Sequence, residues 1–181
     1  LTGVREQEAA AIFLPGSDTP FHLFVMPKNP LMEMWEGKRT GVEGAKTVFG
    51  ADATHDIADF EKVFLEKLKT TGTLYHCLGS YPVQDDMIFG LLKKHNPNPR
   101  RGEKSFEKLV KAQDILAKMR KLKTPAELEL IRRNCRNSAV AHSKAMEFTR
   151  PGQYEYQVEA EIEFWFRHGG ADDLAYSSIV A

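Results

Sequence analysis

Short apolar runs alternate with helical patterns along the N-terminal half of the chain. The runs at 9–14 and 21–26 flank residues 15–18 (PGSD), which favour a turn, so they predict a β-hairpin. Apolar residues every three or four positions in 57–68 predict a helix. The other elements expected here are strands at 48–50 and 73–78, a helix at 83–92 and a short helix or loop at 31–35. Strands alternating with helices predict an α/β layer domain.

A different pattern begins at residues 96–102 (NPNPRRG), which predict a loop. After it, apolar residues recur every three or four positions from Phe106 to Leu122, so this stretch predicts one amphipathic helix. Residues 124–127 (TPAE) combine a capping threonine, a proline for the first turn and a glutamate that completes a capping box, and they predict the start of another helix. That helix is expected to end at 150–152 (RPG).

The C-terminal part predicts a second helix with apolar positions from Tyr154 to Phe166 and a stop at Gly169-Gly170, followed by an acidic turn and a β-branched strand that runs to Ala181. We expect an N-terminal domain at 1–122 and the start of another domain at 123–181. The two helices and the strand of the latter have apolar faces that need a sheet to cover them. Since the chain ends inside this predicted strand and begins with Leu1, we expect an internal piece of a larger protein, its first domain lacking its beginning and its second truncated.

The charge balance argues against a nucleic-acid or membrane partner. Lys and Arg number 25, as do Asp and Glu, so the formal net charge is zero. Residues 93–123 hold eleven Lys or Arg against three Asp or Glu, but aromatic residues are not interleaved with them, which favours a solvated face over a nucleic-acid patch. Cys77 and Cys135 fit no metal-binding spacing, and they favour a reducing compartment.

Candidate metal ligands are scattered. The adjacent carboxylates of 85–86 and 172–173 would diverge on a strand or a helix, so they predict solvated turns rather than a dinuclear site. No two of the six histidines have helical metal-binding spacing. His142, on an apolar helix face, is expected to be a satisfied core histidine, and His168 is expected to help end its helix.

Several segments, in order, resemble motifs of the Xaa-Pro aminopeptidases (aminopeptidase P) of the pita-bread metallopeptidase family. They are 1–3 (LTG), 33–41 (EMWEGKRTG), 119–133 (MRKLKTPAELELIRR), 149–152 (TRPG) and 167–181 (RHGGADDLAYSSIVA). Each motif alone is weak, but the resemblance spans essentially the whole chain. It implies an α/β N-terminal domain like those of creatinase and prolidase, followed by the opening helices and first strand of an α+β pita-bread domain.

The family resemblance also implies a reaction: metal-assisted removal of the N-terminal residue from peptides with proline in second position. Two divalent ions, commonly Mn²⁺, share the attacking hydroxide in that family. Their ligands would all lie beyond the strand that ends at Ala181. No catalytic residue or metal ligand is therefore assigned, and the chain alone is expected to hold no metal and to be inactive.

The same resemblance implies three substrate-binding residues. Tyr176 matches a tyrosine that lines the substrate cleft, and Trp35 matches a tryptophan that a neighbouring subunit lends to the active-site mouth in some members. Arg101, or its neighbour Arg100, lies near where some members place an active-site arginine. A homo-oligomer, a peptide substrate and a cytoplasmic location are the further expectations.

Two other interpretations stay open. A prolidase or creatinase relative would share the two-domain plan. A pita-bread domain without metals would instead act as a peptide-binding or protein-binding module.

Overall fold

The computed structural model describes residues 2–180, which form two compact units, Leu1–Asp114 and Ile115–Ala181. The N-terminal unit contains strands β1 (Ala10–Phe13), β2 (Phe21–Val25), β3 (Ala53–Asp56), β4 (Thr73–His76) and β5 (Lys108–Lys111). Its helices are α1 (Pro30–Glu36), α2 (Gly41–Phe49), α3 (Phe60–Leu68) and α4 (Pro82–Lys94), with single 3₁₀ turns at Ile57–Asp59 and Pro99–Arg101. Helix α5 (Gln113–Lys121) runs across the division between the units, and the domain boundary at 122/123 stays a prediction.

The expected hairpin is confirmed. Strand β1 pairs antiparallel with β2, with Ala10 opposite Phe24, and β2 pairs in parallel with β3, giving a sheet of order β1-β2-β3. Strands β4 and β5 form a separate parallel pair. The α/β architecture predicted from the alternation of strands and helices is therefore present.

The first sheet has an apolar cluster on each face. Because side chains alternate along a strand, Leu23 and Val25 point to one face and His22 and Phe24 to the other. The Leu23 side packs with Ala45 of helix α2 and forms one cluster. On the opposite face Phe24 contacts the ring edge of Phe60, whose helix α3 contributes Phe64 and Leu68 to a second cluster with α4.

The strand predicted at 48–50 is wrong, because these residues end helix α2. Val42 and Phe49 pack on the Leu23 cluster from one helical face, which also holds Ala45. The apolar pair at 48–49 thus belongs to a helical period, and Gly50, in the left-handed conformation with φ 65°, ends the helix.

The single helix predicted from Phe106 to Leu122 is also wrong, since this stretch forms strand β5 followed by α5. Leu109 and Val110 are half-buried while Lys108 and Lys111 are exposed. The available edge of β4 offers this segment a parallel partner, and that pairing overrides the helical spacing of the apolar residues.

The C-terminal unit contains α6 (Pro125–Phe148) and α7 (Glu155–His168). The capping box at the start of α6 is confirmed: Thr124 Oγ1 accepts from the Glu127 N–H, and the Glu127 carboxylate accepts from the Thr124 N–H at 2.7 Å. The helices pack closely where Asn137 Nδ2 donates to the Phe166 carbonyl at 3.0 Å. Gly169 is required beside this contact, because a Cβ there would overlap the Asn137 amide.

Two expectations for the C-terminal unit are corrected. The strand predicted to run to Ala181 does not form at 174–180, and residue 181 itself lies outside the described residues; a strand needs a partner for its backbone groups, and residues 174–180 pair with none of the described residues. His142 is exposed rather than in a core, although its Nδ1 lies 2.8 Å from the Ser138 carbonyl oxygen. The apolar helix faces remain largely uncovered: of the described residues of this unit, only Ala141 and Ala145 are buried.

Between residues 2 and 180, the structure contains no helix with the length and apolar character needed to cross a membrane.

Candidate functional site

Helix α1 presents Trp35 to solvent. None of its seven residues is buried, and the indole is 86% exposed, with Leu31 and Met34 similarly uncovered. Such a short, unburied helix needs other support. Asn29 provides it, since its Oδ1 accepts from the N–H groups of Leu31 and Met32 at 3.2 and 3.3 Å.

The other residues of the motif at 33–41 hold the helix ends. Glu33 accepts from the Asn29 N–H at 3.2 Å, and Gly37, with φ 92°, ends the helix in a conformation that favours glycine. Arg39 links the two ends of α1: it donates to Glu36, the last residue of the helix, at 2.6 Å and to the carbonyl of Pro27, which precedes the helix, at 3.3 Å. The motif therefore positions an exposed tryptophan without burying it.

Gly41, the last residue of the motif, lies against the Lys28 side chain, which precedes α1. Its φ is 70°, and a Cβ there would lie 2.7 Å from Lys28 Cγ. Any other residue would meet both backbone strain and a side-chain collision.

Arg101 lies in the 3₁₀ turn between α4 and β5 and is exposed. The turn is held by Asn98, whose Oδ1 accepts from the Arg100 N–H at 3.1 Å, and by Glu103, which accepts from the Asn98 N–H at 2.6 Å. That hydrogen bond, together with Lys69 at 3.3 Å, lowers the pKa of Glu103. The loop is thus ordered by its own polar contacts and leaves the Arg101 guanidinium facing solvent.

Tyr176 lies in the segment after α7, with its side chain 79% exposed. Ser178 ties this segment to the helix by donating to Glu163 at 3.0 Å. Among the described residues no hydrogen bond, ion pair or ring contact joins Trp35 to Arg101, and Tyr176 belongs to the other unit. The substrate-binding role of these three residues stays a prediction.

Two histidine contacts in the N-terminal unit were not predicted from the sequence. His22 Nδ1 lies 3.0 Å from His55 Nε2, and His76 Nε2 lies 2.7 Å from Asp85 Oδ1. The other oxygen of Asp85 accepts from the Gly79 N–H at 2.9 Å, so this carboxylate orients the imidazole and closes the turn before α4. A spacing of 33 residues between His22 and His55 carries no local sequence signal.

Groups of three or more His, Cys, Asp or Glu side chains able to hold a metal ion do not occur within residues 2–180. The donors of the described chain therefore do not fit a dinuclear metal centre.

Comparison with known proteins relates both parts of the chain to one type of enzyme. Residues 1–75 match the aminopeptidase P N-terminal domain, and residues 129–181 match metallopeptidase family M24. The Xaa-Pro aminopeptidase of Escherichia coli K12 is 30% identical over 99% of the chain, and human Xaa-Pro aminopeptidase 3 is 28% identical over all of it. The chain spans 41% and 36% of these relatives' lengths, respectively.

Solved structures agree with the sequence relatives. The aminopeptidase PepP of Pseudomonas aeruginosa superposes with a TM-score of 0.93 at 35% identity, covering 100% of this chain and 41% of that one. Proline aminopeptidase P II of Yersinia pestis gives 0.86 at 31% identity, covering 97% and 41%.

The order of the two matched regions defines the class: an aminopeptidase P N-terminal domain followed by the opening of a family M24 metallopeptidase domain. Within that class, the chain is similar along its whole length to part of the aminopeptidase P enzymes.

Proposed function

We propose that the complete protein is a metal-dependent aminopeptidase that removes the N-terminal residue from peptides with proline in second position. The observation that carries this proposal is the unbroken relation to Xaa-Pro aminopeptidases over 99% of the chain. The match of residues 129–181 to metallopeptidase family M24 supports the hydrolytic, metal-dependent class.

Proline in second position defines a distinct substrate class for physical reasons. The peptide nitrogen of proline carries no proton, and its ring fixes φ near −65°, so a site built around a backbone N–H donor would reject it. A dedicated site must instead accommodate the ring and a tertiary amide.

Two divalent ions, with Mn²⁺ as the proposed metal, would supply a hydroxide and polarise the scissile carbonyl. The described residues do not offer the donor set for such a centre. We therefore assign no ligand to this chain and propose that it binds no dinuclear metal and has no turnover by itself.

Trp35, Arg101 and Tyr176 are the proposed substrate-binding residues. An exposed indole flanked by exposed Leu31 and Met34 forms an apolar surface of the kind that subunit contacts cover, which favours a homo-oligomer with Trp35 near its neighbour's site. Tyr176 offers a phenol that can pack on a peptide and donate a hydrogen bond, and Arg101 offers a charge for a peptide carboxylate.

The proposed location is the cytoplasm, with neither nucleic acid nor membrane as partner. A formal net charge of zero supports the absence of a general attraction to either polyanion.

Paired peptides test the function directly. The complete enzyme with Mn²⁺ is expected to release alanine from Ala-Pro-Ala and to leave Ala-Ala-Ala intact, as followed by liquid chromatography with mass detection. A chelator should abolish release and added Mn²⁺ should restore it. Equal cleavage of both peptides, or activity that a chelator leaves unchanged, would contradict the proposal.

A further inference from the structure

The N-terminal unit holds a pair of histidines, one buried and one half-buried, that no part of the proposed catalysis uses. His22 is only 3% exposed, and its Nδ1 lies 3.0 Å from Nε2 of the half-buried His55. The strand register places Phe24 directly opposite His55, so His22 and His55 are diagonal neighbours on the same face of the parallel β2–β3 pair. Their rings are stacked, with centroids 5.3 Å apart.

The hydrogen bond between the two imidazoles can form only when at least one of the two rings is neutral. In the neutral form, one imidazole donates through the shared contact and the other accepts, while His22 Nε2 lies 3.3 Å from the Thr19 hydroxyl, which can donate or accept. One added proton can keep the shared hydrogen bond. A second proton places N–H donors on both facing nitrogens, which removes the bond and sets two positive rings against each other.

Burial is the largest effect on both rings and opposes such a charge. Fully buried Phe24 stacks on His55 at 4.8 Å and touches Phe60, so one side of the pair is apolar. The titratable groups that face the pair are Lys67 and Glu66 from α3, Asp52 before β3 and Asp59 from the 3₁₀ turn. Lys67 opposes protonation of both rings, while the three carboxylates favour it.

We propose that the His22–His55 pair is a pH-sensitive element of the fold, which weakens the β2–β3 junction and with it the N-terminal unit as the solution becomes acidic. The pair couples two strands that are joined through α1 and α2, so its loss affects the unit that carries Trp35.

The direction of the effect follows from the protonation equilibria. Burial, followed by Lys67, lowers the pKa of His22, and burial likewise lowers the pKa of His55 from the ordinary value of 6.5. The unfolded chain then binds more protons than the folded one below pH 6.5, so the stabilising contribution is full above that pH and is lost as pH falls towards the folded-state pKa values. Each pKa unit of separation changes the unfolding equilibrium constant about tenfold.

Direct titration of the imidazoles in the full 181-residue chain is the test. Two-dimensional NMR of ring carbon and nitrogen shifts between pH 8 and 5, run beside urea unfolding at each pH, reports both protonation and stability. We expect the pKa values of His22 and His55 to lie below the ordinary value of 6.5, and the unfolding constant to rise several-fold as the pH falls from 7.5 to 5. His55→Gln, which keeps a polar partner but cannot titrate in this range, should reduce that slope. The matched control His95→Gln, also in the N-terminal unit, should preserve it.

Titration of both His22 and His55 near 6.5, like exposed imidazoles, would overturn the proposal. So would a stability independent of pH over this range, or a slope that His55→Gln leaves unchanged. Because these readouts involve no substrate, they stand or fall separately from the peptidase assay.

Discussion

Replacing Phe24 by alanine is expected to destabilise the N-terminal unit by about 3–5 kcal/mol, the usual cost of deleting a buried phenylalanine. Phe24 is 0% exposed and lies between His55, on which it stacks, and Phe60, which it meets edge-on at 5.1 Å. Alanine would leave a cavity between the sheet and α3. Since small domains are stabilised by only about 5–15 kcal/mol, this loss is a large fraction of the total. Urea unfolding followed by far-ultraviolet circular dichroism measures it.

Phe13→Ala is the matched control. Phe13 lies on the neighbouring strand, is 56% exposed and stacks on Phe21 at 4.9 Å. Its replacement should cost clearly less than that of Phe24, because more than half of the Phe13 side chain already lies in solvent and less apolar surface is lost. Equal losses for the two variants would show that Phe24 does not lie at the centre of the sheet's packing.

Trp35→Ala in the complete enzyme is expected to lower kcat/KM for Ala-Pro-Ala about tenfold or more, which corresponds to about 1.4 kcal/mol of lost transition-state binding. The reason is the proposed role of the indole at the neighbouring subunit's site, where aromatic side chains contribute much of the contact energy. Because the Trp35 side chain is 86% exposed, unfolding by urea should be nearly unchanged.

Met34→Ala provides the comparison for Trp35. Met34 precedes the tryptophan on the same helix, is 78% exposed and shares its proposed subunit-contact surface, but it has no proposed contact with substrate. Its variant should therefore lose less activity than Trp35→Ala. A similar loss for both would indicate a general effect of α1 on assembly, and no loss for Trp35→Ala would contradict the proposed role.

Local chemistry explains what the sequence predicted well. The turn residues at 15–18 separate two apolar runs, and β1 and β2 pair accordingly. The capping box at Thr124 and the glycine stop at Gly169 involve neighbours within a few residues, so their structure follows from the local sequence alone. The structure of the motif at 33–41 also depends on neighbouring residues, since Glu33 and Gly37 stabilise the two ends of one short helix.

The features that the sequence did not predict depend on pairing between strands that are distant in the chain. Strand β5 exists because β4, more than thirty residues earlier, offers an edge: the Ala112 N–H donates to the His76 carbonyl at 2.9 Å, at the end of their parallel ladder. The spacing of apolar residues within 106–122 contains no information about β4 as a pairing partner. The His22–His55 contact is equally invisible, because it depends on the register between two strands.

The candidate substrate-binding residues could be predicted only in part from the sequence, because their arrangement also depends on residues far apart in the chain. The polar, glycine-rich segment around Trp35 predicted an interface or pocket residue rather than a core residue. The indole lies outside the core, 86% exposed, and its role at an interface or pocket stays a prediction. The length of the loop differs from that of the family, which left the choice between Arg100 and Arg101 open, and both side chains are exposed in the turn capped by Asn98.

Metal titration of the 181-residue chain, combined with a peptidase assay of the same sample, tests the central claim most directly. Calorimetric addition of Mn²⁺ should show no stoichiometric uptake, and Ala-Pro-Ala should remain intact over the period in which the complete enzyme consumes it. Uptake of two equivalents of Mn²⁺ accompanied by release of alanine would contradict the claim that this chain positions substrate while other residues hold the metals.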